Sequence, residues 1–152
     1  MKVLVHSRRR PSAVALAKSG AEFVPDLEAL LPAVDVVSLH APATPETRGM
    51  MNAARLGLLK PGAALINTAR GDLVDESALI DALRQGRISA GLDVYVHEPQ
   101  VPAQFLTFDN VVLLPHLGSA TEETRTAMGM RAVANLSAYF RDDTPPDVLD
   151  KA

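Results

Sequence analysis

The sequence contains no cysteine among its 152 residues. That excludes disulfides, thiolate metal sites and thiol nucleophiles, and it fits a reducing, cytoplasmic compartment. Long apolar runs are missing too. Stretches such as Val111 to Leu114 last a few residues, against about 20 needed to span a bilayer, so no membrane partner is expected. The opening stretch, Met1-Lys2-Val3-Leu4-Val5-His6, is too short for a signal peptide. There is no large excess of charge of one sign. The formal net charge is -3, which gives no general affinity for nucleic acid; the local exception is the run Arg8-Arg9-Arg10. Internal repeats and low-complexity segments are also absent.

What is present is the composition of a folded chain. Hydrophobic residues make up 47% and charged residues 22%, with both signs mixed, so disorder is excluded as the main state. A chain of this length forms one ordinary domain and buries roughly 70% of the surface its unfolded form exposes.

Apolar or β-branched runs alternate with helical stretches. Strands are expected at Lys2–Val5, Glu22–Val24, Asp35–Leu39, Ala63–Asn67, Ile88–Val94 and Val111–Leu114. Helices are expected from Ser12 to Ser19 with Gly20 as the stop, from an Asp26 cap through Leu31, over Asn52–Leu59, from Asp75 to Leu83, and from Thr121 to Phe140. Glu122 and Glu123 fall in the first turn of the last helix, where the helix dipole favours them. Strands separated by helices predict an α/β three-layer sandwich with a mostly parallel sheet. Several strands are continuous apolar runs, as expected for strands buried on both faces. Residues 96–108 form the longest irregular stretch, and the tail from Asp142 is polar and loose.

In such a sheet ligands bind beyond the carboxyl ends of the strands. The residues in those positions are His6 to Arg10, His40 to Thr44, Asn67 to Asp72, Asp93 to Pro99 and Pro115 to Ala120. They are rich in histidine, arginine and carboxylate. A catalytic edge would look like this, and so would ordinary polar loops.

Four stretches go further. Leu39 to Met51 (LHAPATPETRGMM), Gly62 to Glu76 (GAALINTARGDLVDE), Gly91 to Pro99 (GLDVYVHEP) and Asn110 to Thr121 (NVVLLPHLGSAT) resemble the D-isomer-specific 2-hydroxyacid dehydrogenases, in that family's order and spacing. The resemblance runs from Met1 to about Asp150 and is greatest to enzymes of the glyoxylate/hydroxypyruvate reductase type. It implies a Rossmann-derived fold, an NAD(P) cofactor and a small 2-oxo acid or 2-hydroxy acid as substrate.

The resemblance also implies roles for single residues. Arg70 would hold the substrate carboxylate, which a planar guanidinium can do through two parallel hydrogen bonds. His116 would be the acid/base at the carbonyl oxygen. Glu98 would pair with His116, its negative charge favouring the imidazolium. Asp93 would bind the nicotinamide carboxamide. Further cofactor contacts are implied at His40, Pro42, Thr47, Thr68, Ala69, Arg70, His116 and Gly118. At the end of the first strand, NAD-preferring relatives carry an acidic residue for the ribose hydroxyls. Here Ser7 stands there, followed by Arg8 and Arg9, which suits the 2′-phosphate of NADP.

A dinucleotide-binding fold opens with strand, Gly-x-Gly-x-x-Gly and helix, and no such stretch occurs in these residues. The family's separate catalytic domain has no counterpart either. The expectation is a truncated Rossmann-type domain over residues 1–141, starting inside the family's second strand, with a tail over 142–152. Closing the resulting gap would place Val3-Leu4-Val5 beside Val36-Val37-Ser38, giving the flavodoxin-like order 2-1-3-4-5 plus a further strand. Without the glycine-rich bed for the pyrophosphate and with one wall to the substrate cleft, the chain alone is expected to have little or no dehydrogenase activity. Two readings stand: an oxidoreductase by descent, or a non-enzymatic flavodoxin-like binding module that holds a phosphate-bearing ligand at residues 7–12. The resemblance implies a dimer through the cofactor domain.

Overall fold

The computed structural model describes residues 1–149. The chain divides into two compact units, Met1–Pro115 and a second beginning at His116.

The first unit alternates strand and helix: β1 (Leu4–Val5), α1 (Ala13–Ser19), β2 (Glu22–Phe23), α2 (Leu27–Leu30), β3 (Val36–Leu39), α3 (Ala53–Leu58), β4 (Ala64–Asn67), α4 (Glu76–Arg84), β5 (Ser89–Leu92) and β6 (Val111–Leu113). The helix starts follow local chemistry. Ser12, Asp26, Asn52 and Asp75 each accept a hydrogen bond from a backbone N–H of the first turn, satisfying donors that a helix start leaves unpaired. Gly20 stops α1 in the left-handed region, at φ 65°. A short 3-10 turn, Ala103–Thr107, occupies the expected irregular stretch and buries Phe105.

Every strand pairing is parallel. β1 pairs with β2, Leu4 opposite Glu22. The other four strands form one sheet in the order β3-β4-β5-β6, with Val37 beside Leu65 and Leu65 beside Ala90. The fold class is therefore mixed α/β with parallel sheets. The expected order is corrected. β1 does not pair with β3, and the described residues form two separate sheets where the flavodoxin-like order requires one.

Packing explains why the gap stays open. Leu31 is fully buried and Leu30 nearly so, and Leu31 shares a cluster with Val37, Leu56 and Leu59. These leucines anchor the crossover from β2 to β3. Sliding β1 and β2 across by one strand spacing, about 4.8 Å, would pull on this anchor. Each leucine withdrawn costs roughly 1.5–3 kcal/mol, against about 1 kcal/mol for each backbone bond gained by a two-residue strand.

One face of the four-stranded sheet carries the core. Val37, Leu39, Leu65, Ala90 and Leu92 are buried there with Leu56 of α3, Leu79 and Leu83 of α4, and Phe105. The opposite face is not covered to the same degree, since Val36 is 56% exposed and Val112 64%. Burial on both faces, expected for several strands from their apolar runs, does not hold for β3, which alternates outward and inward as a one-sided strand does.

The second unit is built on α5 (Glu122–Tyr139), capped by Thr121, whose hydroxyl accepts from Thr124 N. The tail is tied back to the helix. Asp147 accepts from Arg131 and from Asn135, and its own N–H donates to Asn135 Oδ1 at 3.1 Å. Residues 150–152 of the expected tail lie outside the described residues. No helix among the described residues is long and apolar enough to cross a membrane.

Candidate active site

β4 ends in a buried asparagine, Asn67, inside an otherwise apolar strand. Its side chain shapes the turn that follows. Oδ1 accepts from Ala69 N at 3.1 Å, and Nδ2 donates to Arg70 O at 2.9 Å. The turn thereby presents Ala69 and Arg70 to an open cleft of about 450 Å³, whose other walls are His40, Ala41, Pro42 and Ala43. A guanidinium among small apolar residues suits a small carboxylate.

The loop after β3 is held from within. His40 Nε2 lies 2.8 Å from Ser38 Oγ. Thr47 donates its hydroxyl to Pro42 O at 2.6 Å and accepts from Thr44 N at 2.8 Å, so this hydroxyl fixes the loop shape around Pro42. The same loop is joined to the one after β4. Gly49 N donates to Asp72 O at 2.7 Å, Arg48 pairs with Asp72 at 2.7 Å, and Met51 N donates to Leu73 O at 3.0 Å.

The loop after β5 carries the carboxylates. Asp93 is buried, and its backbone N–H donates to Asn67 O at 3.0 Å. Glu98 accepts from Tyr95 N at 3.0 Å, and Glu76 accepts from Val96 N at 3.1 Å. The Tyr95 hydroxyl donates to Leu114 O at 2.9 Å, just past β6, and to Leu92 O at 3.3 Å. Burial pushes the Tyr95 phenol above its ordinary pKa, with Asp93 and Glu98 adding to the rise.

Beyond β1, Ser7 donates its hydroxyl to Arg9 O at 2.6 Å, and the Arg10 guanidinium sits 5.4 Å from the centre of the Phe23 ring. Glu46 in the β3 loop is held below the usual carboxylate range, chiefly by the Thr44 hydroxyl at 2.6 Å, with a smaller pull from Arg8.

The carboxyl edge of the four-stranded sheet thus gathers His40, Pro42 and Thr47 after β3, Thr68, Ala69 and Arg70 after β4, and Asp93 and Glu98 after β5. Ser7, Arg8 and Arg9 follow β1 in the other sheet. His116 and Gly118 belong to the second unit, where His116 adopts φ 55°. Few residues other than glycine take that backbone conformation, and functional positions are enriched among them. Three supports of the edge were not expected from the sequence. Asn67 has a visible signal, a lone amide closing an apolar strand. Tyr95 and Gly71 have none, because their importance depends on which loops meet.

Comparison with known proteins places the chain in a class. Residues 1–118 match the family described as D-isomer specific 2-hydroxyacid dehydrogenase, NAD binding domain. The chain belongs to this family. Among individual relatives, it is 46% identical over 153 residues to a glyoxylate reductase of Thermococcus litoralis and 47% identical over 152 residues to one of Pyrococcus furiosus, each match covering 99% of this chain and 45% of the relative. The chain therefore spans somewhat under half the length of the curated relatives it matches. Among solved structures, the holo form of Rhodotorula graminis D-mandelate dehydrogenase superimposes with a TM-score of 0.90 at 31% identity, covering all of this chain and 45% of that one. The NADPH-dependent glyoxylate/hydroxypyruvate reductase of Sinorhizobium meliloti, in complex with NADP and malonate, gives 0.83 at 41% identity, covering 91% of this chain and 42% of that one.

Proposed function

We propose that this chain supplies the cofactor-facing half of an NADP(H)-dependent oxidoreductase that reduces small 2-oxo acids, such as glyoxylate or hydroxypyruvate, to 2-hydroxy acids. The observation that carries this reading is the cleft at the carboxyl edge, where Arg70 and His40 close on small apolar residues.

The residues present fit two ends of a dinucleotide. Buried Asp93 offers a hydrogen-bonding group for the nicotinamide carboxamide, beside loops that carry His40, Pro42, Thr47, Thr68 and Ala69. Arg8 and Arg9 offer cations, and Ser7 stands in place of an acidic residue at the β1 end, as a 2′-phosphate requires. The bound nicotinamide supplies the hydride. Arg70 holds the substrate carboxylate in bidentate fashion. By the family resemblance, His116 is assigned the transfer of a proton to and from the carbonyl oxygen, and Glu98 and Gly118 keep the site roles that the resemblance implies. The 152 residues by themselves lack a glycine-rich pyrophosphate bed and a second wall to keep water out, so they turn over little or no substrate alone. A dimer through this domain and a reducing, cytoplasmic setting complete the reading. The alternative of a flavodoxin-like module loses its premise, because β1 and β3 do not pair.

Calorimetric titration of the chain with 2′,5′-ADP and with 5′-AMP tests the cofactor end. The expected result is binding of 2′,5′-ADP in preference to 5′-AMP, with the preference abolished in the double variant Arg8→Ala, Arg9→Ala. Equal affinity for the two nucleotides contradicts the NADP assignment.

A further inference from the structure

Residues 70–76 run from Arg70 to the start of α4, and they meet the loop after β5 at two points. Gly71 lies against the peptide that joins Tyr95 to Val96, with no room for a Cβ between them. Glu76, the first residue of α4, takes the N–H of that same peptide: Val96 N donates to Glu76 Oε1 at 3.1 Å, across 20 positions of sequence. Helix capping does not account for this bond. The helix dipole favours an acid in the first turn, but it does not choose a partner in another loop. Asp75 serves the turn itself, accepting from Ala78 N at 3.1 Å, and Glu76 gives its oxygen to backbone outside the helix. The groups around that peptide are bound as well. Tyr95 N donates to Glu98 Oε1 at 3.0 Å, the Tyr95 ring is buried, and its hydroxyl donates to Leu114 O at 2.9 Å. Asp93, two residues earlier and also buried, has its N–H on Asn67 O at 3.0 Å.

We propose that Glu76 is a positioning residue: by holding the Tyr95–Val96 peptide against Gly71, it fixes Asp93 and the Glu98 carboxylate in a set place relative to Arg70. Two successive N–H groups, those of Tyr95 and Val96, go to two different carboxylates. Glu98 takes the first from within the loop, three positions on, and so travels with the loop. Glu76 takes the second from α4, whose Leu79 and Leu83 are buried in the core, and so ties the loop to an element that does not travel with it. A hydrogen bond to a charged acceptor is stronger than one between neutral groups, and reactive groups must be held to within about 0.5 Å by such supports. Gly71 acts by contact and Glu76 by hydrogen bonding, so the segment after Arg70 grips the other loop from both its ends. The roles of Arg70, Asp93 and Glu98 rest on the reading above; the tie through Glu76 rests on the hydrogen bonds and the Gly71 contact.

The test uses the isotopically labelled 152-residue chain as wild type, Glu76→Ala and Glu76→Gln, the last of which keeps an acceptor oxygen. In wild type the Val96 amide is expected to exchange about tenfold slower than the His97 amide, after correction for intrinsic rates. Equal rates overturn the proposal without any variant. In Glu76→Ala, exchange at Val96 rises about tenfold and the Glu98 side-chain carboxyl resonance moves, while exchange at Leu65 and Ala90 stays as in wild type. Glu76→Gln restores both readings. An unmoved Glu98 resonance in Glu76→Ala, or equal effects of the two variants, overturns the positioning role. So does exchange that rises equally at Leu65 and Ala90, which makes Glu76 a support of the whole fold. NADPH is then added to each form. It is expected to shift the Asp93 amide in wild type and Glu76→Gln, and at least about twofold less in Glu76→Ala. An equal shift in all three overturns the proposal. No NADPH response in any of them, with the Glu98 response intact, supports the positioning role and removes the cofactor reading.

Discussion

Gly71 lies against the peptide joining Tyr95 to Val96 so closely that a Cβ on Gly71 would occupy the space of that peptide. The contact joins the loop that carries Arg70 to the loop that carries Asp93 and Glu98. The facing atoms are all main-chain, so none can swing aside. Gly71→Ala is expected to destabilise the chain by about 1–3 kcal/mol or more, as overpacking of a filled interior does. Urea unfolding measures the loss, and an unchanged midpoint would show that the two loops separate freely.

The Tyr95 hydroxyl reaches across from the β5 loop to the carbonyl of Leu114. Tyr95→Phe keeps the ring packing and removes only the bond, so a loss of about 1 kcal/mol is expected. The pH dependence has a definite sign. The folded-state pKa is raised above the ordinary 10.0, so the associated stability is fully present below pH 10 and is lost as pH rises through the folded value. Wild type should weaken in this alkaline range more steeply than Tyr95→Phe. Parallel curves from pH 9 to 11 would contradict the assignment.

Asp75 caps α4, accepting from Ala78 N at 3.1 Å and from the Ser77 hydroxyl at 2.8 Å. These bonds, Ala78 first, lower its pKa below the ordinary 3.8. A lowered carboxylate contributes stability above its unfolded pKa, and that contribution disappears as pH falls through the folded one. Asp75→Ala is expected to cost about 1 kcal/mol at neutral pH and to flatten the loss of stability between pH 4 and 2. Urea midpoints across that range, for wild type and variant, provide the check.

Asn67 uses both ends of its amide to fold the turn before Arg70. Asn67→Asp keeps the shape but sets a carboxylate oxygen against the Arg70 carbonyl. The expected cost is about 1–3 kcal/mol, the range for a buried polar group left without its partner. Greater stability of this variant at pH 4 than at pH 7, relative to wild type, would show the carboxyl being forced towards its neutral form.

The alternation of strands and helices, the helix starts at Ser12, Asn52, Asp75 and Thr121, the cap at Asp26 and the stop at Gly20 were all legible, because each depends on a few adjacent residues. The loops after β3, β4 and β5 were legible for a related reason: a parallel strand delivers its following residues to one edge. The pairing of β1 with β2 was legible, but the lack of a pairing between β1 and β3 was not. It depends on Leu30 and Leu31 anchoring the crossover, a long-range packing fact that outweighs the gain from closing a gap. Gly71 and Tyr95 were missed for the same reason, since their roles arise where loops distant in sequence meet. The one-sided exposure of Val36 was hidden inside a run that reads as uniformly apolar.

The central claim is that the carboxyl edge of β3, β4 and β5 is the ligand face. Titrating the isotopically labelled chain with NADPH while recording amide chemical shifts tests it most directly. The account predicts shifts concentrated at residues 7–10, 40–47, 68–70 and 93. Shifts confined to the opposite edge, around Arg84, Asp109 and Asn110, would contradict it.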